Sequence, residues 1–110
     1  MTETEFLAVA ERVLDTVESA FEAAGDESGV DVECSRSGNV LEIEFVDNGS
    51  KIIVNTQAPM KEIWVAARAG GFHYRYVDGQ WRDTRDGSEL YAALSQQASA
   101  QGGSPLTLTA

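Results

Sequence analysis

The sequence has 110 residues but only one cysteine, Cys34, and one histidine, His73. A single chain therefore cannot build an internal disulfide, a Cys/His zinc site or a thiolate-held iron-sulfur cluster. Basic residues are also scarce: 8 Lys and Arg stand against 18 Asp and Glu, for a formal net charge of −10. That balance repels phosphate backbones and anionic lipid and argues against nucleic-acid or membrane partners. No stretch approaches the roughly 18 apolar residues of a membrane span, and the opening MTETEF has no basic segment ahead of an apolar one. A cytoplasmic, reducing setting is expected. Phosphate loop, dinucleotide fingerprint and nucleophile elbow are all missing, so no catalytic residue is assigned. Any metal chemistry must be carboxylate chemistry.

What is present supports one domain over residues 1–110, because 43% hydrophobic residues exceed what an acidic disordered tail carries. An amphipathic helix is predicted from Glu3 to Ala24. Thr2 and Glu5 form a capping box, Gly25 is the expected stop, and Phe6, Ala10, Val13, Leu14, Val17, Phe21 and Ala24 share one apolar face. The period then becomes alternating, with Val30, Val32 and Cys34 between acids, and Leu41, Ile43 and Phe45 likewise. Turn signals at 37–39 and 48–49 separate these strands, and further strands are predicted at 51–57, 62–68, 72–77 and 80–83. A second helix is predicted over 88–101, capped by Asp86 or Ser88 and apolar along Leu90, Tyr91, Leu94 and Ala98, with Leu106 and Leu108 covering a groove between the helices. The fold class is α+β: a two-layer sandwich with two terminal helices on one face of a five- to six-stranded antiparallel sheet. The other sheet face is left open to solvent.

The charge is unevenly placed. Residues 1–47 carry 13 acids and two bases, for −11, and residues 48–110 carry +1. At 100° per residue, Glu11, Asp15, Glu18 and Glu22 fall on one helix face, and the stripe continues through Asp26, Glu27, Asp31 and Glu33 toward Glu42 and Glu44. Like charges at i, i+4 cost a few tenths of a kcal/mol per pair on an isolated helix, so folding gives no reason for them. Exposed single carboxylates suit hard cations such as Mg, Ca, Mn and oxidised iron, in several weak and adjustable sites. The competing reading is a solvated face that maintains solubility.

Alternation turns Ile63 and Val65 inward and Trp64 onto the open face, near Asn55 and Gln57. A tryptophan among amides and bases such as Arg68 reads as a protein-contact anchor; cross-strand packing is the alternative. His73 shares that face with Arg75 and has no nucleophile beside it, so it reads as a surface residue. Cys34 reads as a buried inert thiol and Trp81 as core or lid. The acids lie along one ridge and do not face each other across a cleft, which speaks against glycosidase chemistry.

Together, Glu5-Phe6, the acidic helix, the run from Val30 to Cys34, Asn48-Gly49-Ser50-Lys51-Ile52-Ile53-Val54-Asn55, Gln57-Ala58-Pro59, Ile63-Trp64-Val65-Ala66 and Gly70-Gly71-Phe72-His73 resemble the frataxin family over nearly the whole chain. The resemblance implies a sandwich that binds iron weakly on its acidic ridge and takes part in iron-sulfur cluster assembly. It further implies contact with the cysteine desulfurase and with the iron-sulfur scaffold protein, as an iron-responsive regulator or an iron donor. By position, Glu11, Glu18, Glu22, Asp26, Asp31 and Glu33 match the ridge, with Asp15 and Glu27 adding charge; Asn55, Gln57 and Trp64 match the sheet-face contact. Family members often carry adjacent acid pairs late in the first helix, where Ser19 and Ala23 stand here, which implies weaker or displaced metal binding.

Three function classes remain open at this point: a binding and regulatory module for iron and the desulfurase, which is favoured; a ferroxidase-like iron store; and a metal-independent acidic adaptor for a basic partner. A monomer is expected, with iron-driven oligomers belonging to the second class.

Overall fold

In the computed structural model, which describes residues 1–110, helix α1 spans Glu3–Ser28 and begins as the sequence predicts. The Thr2 side chain accepts from the Glu5 amide and the Glu5 carboxylate accepts from the Thr2 amide, at 3.1 and 2.9 Å. The helix does not stop at Gly25. It runs one turn further, to Gly29, whose φ of 76° and amide bond to the Gly25 carbonyl make the left-handed cap. Gly25 is instead a point of close approach, since a Cβ there would lie 2.9 Å from Val32 Cγ2 and 3.0 Å from the Val30 carbonyl. The absent side chain lets the start of the sheet pass against the helix.

Six strands follow: β1 (Val32–Ser37), β2 (Val40–Phe45), β3 (Ser50–Gln57), β4 (Glu62–Ala67), β5 (Gly70–Val77) and β6 (Gln80–Asp83). They pair in chain order as an antiparallel meander, with a short 3₁₀ turn at Ala58–Met60 where Pro59 cannot join a ladder. Register aligns Leu41 with Val54, Val54 with Val65, and Ile63 with Tyr74, so their side chains line one face. That face meets Phe6, Val13, Leu14, Val17 and Phe21 of α1 in a single core of 22 residues. Edge-to-face pairs of Phe21 with Phe45 and Phe6 with Trp81 tie the helix to both sides of the sheet.

Helix α2 covers Leu90–Gly102 and buries Leu90, Leu94 and Ala98, while Tyr91 is only half-buried. Its cap is Glu89, not Asp86 or Ser88: the Glu89 carboxylate accepts from the Tyr91 and Ala92 amides at 2.9 and 3.0 Å. Asp86 closes the preceding turn on the Ser88 amide instead. The tail lies as predicted. Leu106 and Leu108 are 3% exposed, and their backbone bonds to Ser99 and Ser95 lay residues 106–108 along α2.

Candidate functional site

Extending α1 by a turn changes the ridge. Glu11, Asp15, Glu18, Glu22 and Asp26 now follow one helical line within about 80° of arc, and Asp31 meets it from the loop before β1. Glu22, Asp26 and Asp31 line a shared shallow recess of about 190 Å³ with Gly25, Val30 and Val32. Glu27 is turned away from that line, since one residue adds 100°; it lies with Ser19, Ala23 and the tail residues Thr107 and Thr109. Glu33 is also separated from the helical row: it alternates with Cys34, stands opposite Glu44, and so carries the acidity round the β1 edge onto the open sheet face.

Few cations answer these acids. Arg36 donates to Asp15 at 2.7 Å and Lys51 stands 3.3 Å from Glu42. Glu11, Glu22, Asp26 and Asp31 are exposed, Glu18 is half-buried, and none of the five has an ion-pair partner. Their field reaches inward. The Cys34 thiol is pushed up to about 11, first by burial and then by Glu22 and Glu18, which makes it a poor nucleophile. No three ligating side chains converge closely enough to enclose an ion. Hard oxygen donors of this kind fit iron in its hydrated form, one or two carboxylates at a time with water completing the shell.

The open sheet face holds the second constellation. Trp64 lies beside Asn55 in register and stacks on His73, with ring centroids 4.2 Å apart and planes 6° from parallel. Its indole N–H donates to Glu62 Oε1 at 2.9 Å, with His73 Nδ1 3.6 Å from the same oxygen, while Arg75 Nε donates to Glu62 Oε2 at 2.7 Å. Gln57 completes the patch, its amide donating to Asn55 at 2.7 Å. The cation linked to Trp64 is thus Arg75, through their shared partner Glu62. Arg68 stands beyond the end of β4.

Glu62 escaped the sequence reading and is the best-buried acid of the chain, with 2% exposure. The one signal in the sequence was its place two residues before Trp64, hence on the same face; its position opposite Arg75 comes only with the strand register. Burial alone would raise its carboxyl, but the bonds from Trp64 and Arg75 and the charges of Arg75 and His73 outweigh it and hold the group below the usual carboxylate range. A depressed folded value means that this stabilisation is complete above the unfolded value near 4.5 and is lost as pH falls through the folded one. Glu62→Gln should therefore lower stability by about 1 kcal/mol at pH 7, a figure kept small because Arg75 is largely exposed. Thermal unfolding between pH 3 and 7 checks this: the wild-type and variant curves should converge at the acid end.

A two-layer sandwich of terminal helices on a six-stranded meander, with an acidic first helix and a tryptophan on the bare sheet face, is the frataxin-like architecture. The frataxin-like domain model matches residues 1–104, and the chain belongs to the frataxin family. Among curated relatives, the iron-sulfur cluster assembly protein CyaY of Janthinobacterium sp. (strain Marseille) is 63% identical over 108 residues, spanning 98% of this chain and 96% of the relative. The protein of the same name from Herminiimonas arsenicoxydans is 60% identical over equal coverage. Among solved structures, the frataxin from Psychromonas ingrahamii superposes with a TM-score of 0.82 at 33% identity over all of both chains. A trimeric yeast frataxin from Saccharomyces cerevisiae, complexed with ferrous iron, gives 0.69 at 26% identity over 86% of this chain and 85% of that one.

Proposed function

We propose that this chain is an iron-binding protein of iron-sulfur cluster assembly that acts in the cytoplasm on the cysteine desulfurase and its scaffold partner. The observation that carries this reading is the unpaired row Glu11, Glu18, Glu22, Asp26 and Asp31 along one edge of a fold whose other half is near neutral. The CyaY relatives, named for cluster assembly, and the iron-complexed yeast neighbour support it.

Iron is cargo or signal in this scheme. A surface of one sign steers a basic partner into place, and each bound cation neutralises part of that field and so changes partner affinity without a conformational switch. The Trp64 face supplies a second, less salt-sensitive contact. Iron storage is the alternative, and the trimeric form of the ferrous-complexed neighbour is the observation that supports it.

A ferrous titration followed residue by residue, with and without the desulfurase, tests the reading. Signals of Glu18, Glu22, Asp26 and Asp31 should shift first, and the desulfurase should compete for the same residues. Iron-driven oligomers by sedimentation would favour storage. An unchanged ridge would leave only a metal-independent acidic adaptor.

A further inference from the structure

The open sheet face is polarised from edge to edge. At its β1 and β2 side stand Glu33, Glu42 and Glu44, with Lys51 paired to Glu42 among them. At the far side the sign reverses. Register places Glu62, Arg75 and Arg82 in one row across β4, β5 and β6, and His73 lies two residues from Arg75 on the same face of β5. Four strand spacings separate β2 from β6, about 19 Å, and the ground between the two signs is held by Ile53, Asn55 and Trp64.

Folding gives no reason for the basic end of this row. Like charges directly opposite each other on neighbouring strands destabilise a sheet, and Arg75 and Arg82 are such a pair. Glu62 compensates one charge only. It accepts from Arg75 Nε at 2.7 Å, which fixes the guanidinium yet leaves both terminal nitrogens, Nη1 and Nη2, without a hydrogen-bond partner on a side chain 60% exposed. Arg82 has no carboxylate at all, since its guanidinium bonds two neutral oxygens, the Gly87 carbonyl and Gln80 Oε1. The other acids of this end do not answer it: Asp83 is buried on the helix side, Asp86 accepts from the Ser88 amide, Glu89 caps α2, and Asp78 at the hairpin tip forms no ion pair.

A guanidinium fixed at Nε with both terminal nitrogens free matches the two oxygens of a carboxylate. A small free anion gains little here against the field of a chain with net charge −10, so the carboxylate has to arrive on a protein that other contacts hold in place. We propose that the β5 and β6 end of the open face receives an acidic segment of the partner that covers Trp64, with an aspartate or glutamate forking onto Nη1 and Nη2 of Arg75 and Arg82 beside it. The inference rests on reading the Trp64 face as a partner contact. It gives that contact a direction, basic surface toward the ridge and acidic surface toward β6, so that a reversed partner would meet like charge at both ends.

The test is binding of the complex of desulfurase and scaffold to wild type, Arg82→Gln, Arg75→Gln/Arg82→Gln and Trp64→Ala, at low and at high salt. Each neutralised arginine makes the chain more acidic, so a partner that is basic throughout should bind the arginine variants as well as wild type or better. The proposal requires the reverse: affinity should fall about threefold for Arg82→Gln and about tenfold for the double variant at low salt, and the losses should shrink at high salt. Arg82→Gln leaves the bonds to Glu62 intact, so its melting temperature should stay close to that of wild type and its loss of affinity reports docking alone. Unchanged or tighter binding of both arginine variants while Trp64→Ala still binds weakly would overturn the acidic contact and spare the reading of the face. Unchanged binding of all three would overturn both. Arginine losses undiminished at high salt would assign the pair to packing and overturn the proposal as well.

Discussion

Replacing Glu18 and Glu22 by glutamine and Asp31 by asparagine together should weaken association with the desulfurase about 10- to 100-fold at low salt, and most of the loss should fall on the association rate. The three carboxylates are exposed or half-buried, stand on the unpaired stretch of the ridge, and have no cation of their own to release. Their contribution is therefore a field acting over distance. Screening shortens its reach from ~30 Å at 0.01 M ionic strength to ~3 Å at 1 M, so the difference between variant and wild type should vanish at high salt. Iron should act in the same direction as salt on the wild type and have little left to act on in the variant. Equal affinities at low salt would exclude the ridge as the steering surface.

Misfolding can be separated from this effect within the same variant. Glu18 and Glu22 repel each other at i, i+4, so their removal should leave the melting temperature unchanged or raise it. Cys34 supplies an internal gauge. Its thiol is raised chiefly by burial and secondarily by Glu22 and Glu18, so the substitutions should lower it from about 11 without bringing it to the value of a free thiol. Alkylation of Cys34 should then be modestly faster in an otherwise native protein.

Much of this was legible from spacing alone. The apolar face of α1, the alternation of Leu41, Ile43 and Phe45, and the turn at Asn48-Gly49 specify which faces are buried, and those faces fix the sandwich. The misreadings share a physical origin, since they concern groups whose role depends on what approaches from another element. Gly25 reads as a stop from sequence because nothing local says that Val32 passes 2.9 Å from its missing Cβ. Once the helix continues, Asp26 stays in the acidic row and Glu27 leaves it. Asp86 and Ser88 have cap chemistry, yet Glu89 caps α2, since Asp86 is already used by the turn. Glu62 is invisible as a buried acid until Trp64, His73 and Arg75 are brought around it by register.

That last cluster leads to a prediction of opposite character. Trp64→Ala should weaken the complex with the desulfurase and scaffold by about 2 kcal/mol or more, roughly 30-fold, through faster dissociation and with little dependence on salt. The reason is preorganisation. Held by the Glu62 carboxylate and stacked flat on His73, the indole has one orientation available before any partner arrives, so docking costs it little side-chain entropy. Trp64→Phe keeps an aromatic surface but frees Glu62 Oε1, and should fall between wild type and Trp64→Ala. Glu62→Gln retains an acceptor for the indole and should have the smallest effect on binding, although it removes the charged bond to Arg75. Surface plasmon resonance at two ionic strengths distinguishes this face from the ridge: a Trp64→Ala loss that disappears at high salt would mean that the sheet face acts only through charge and that the indole is not an anchor.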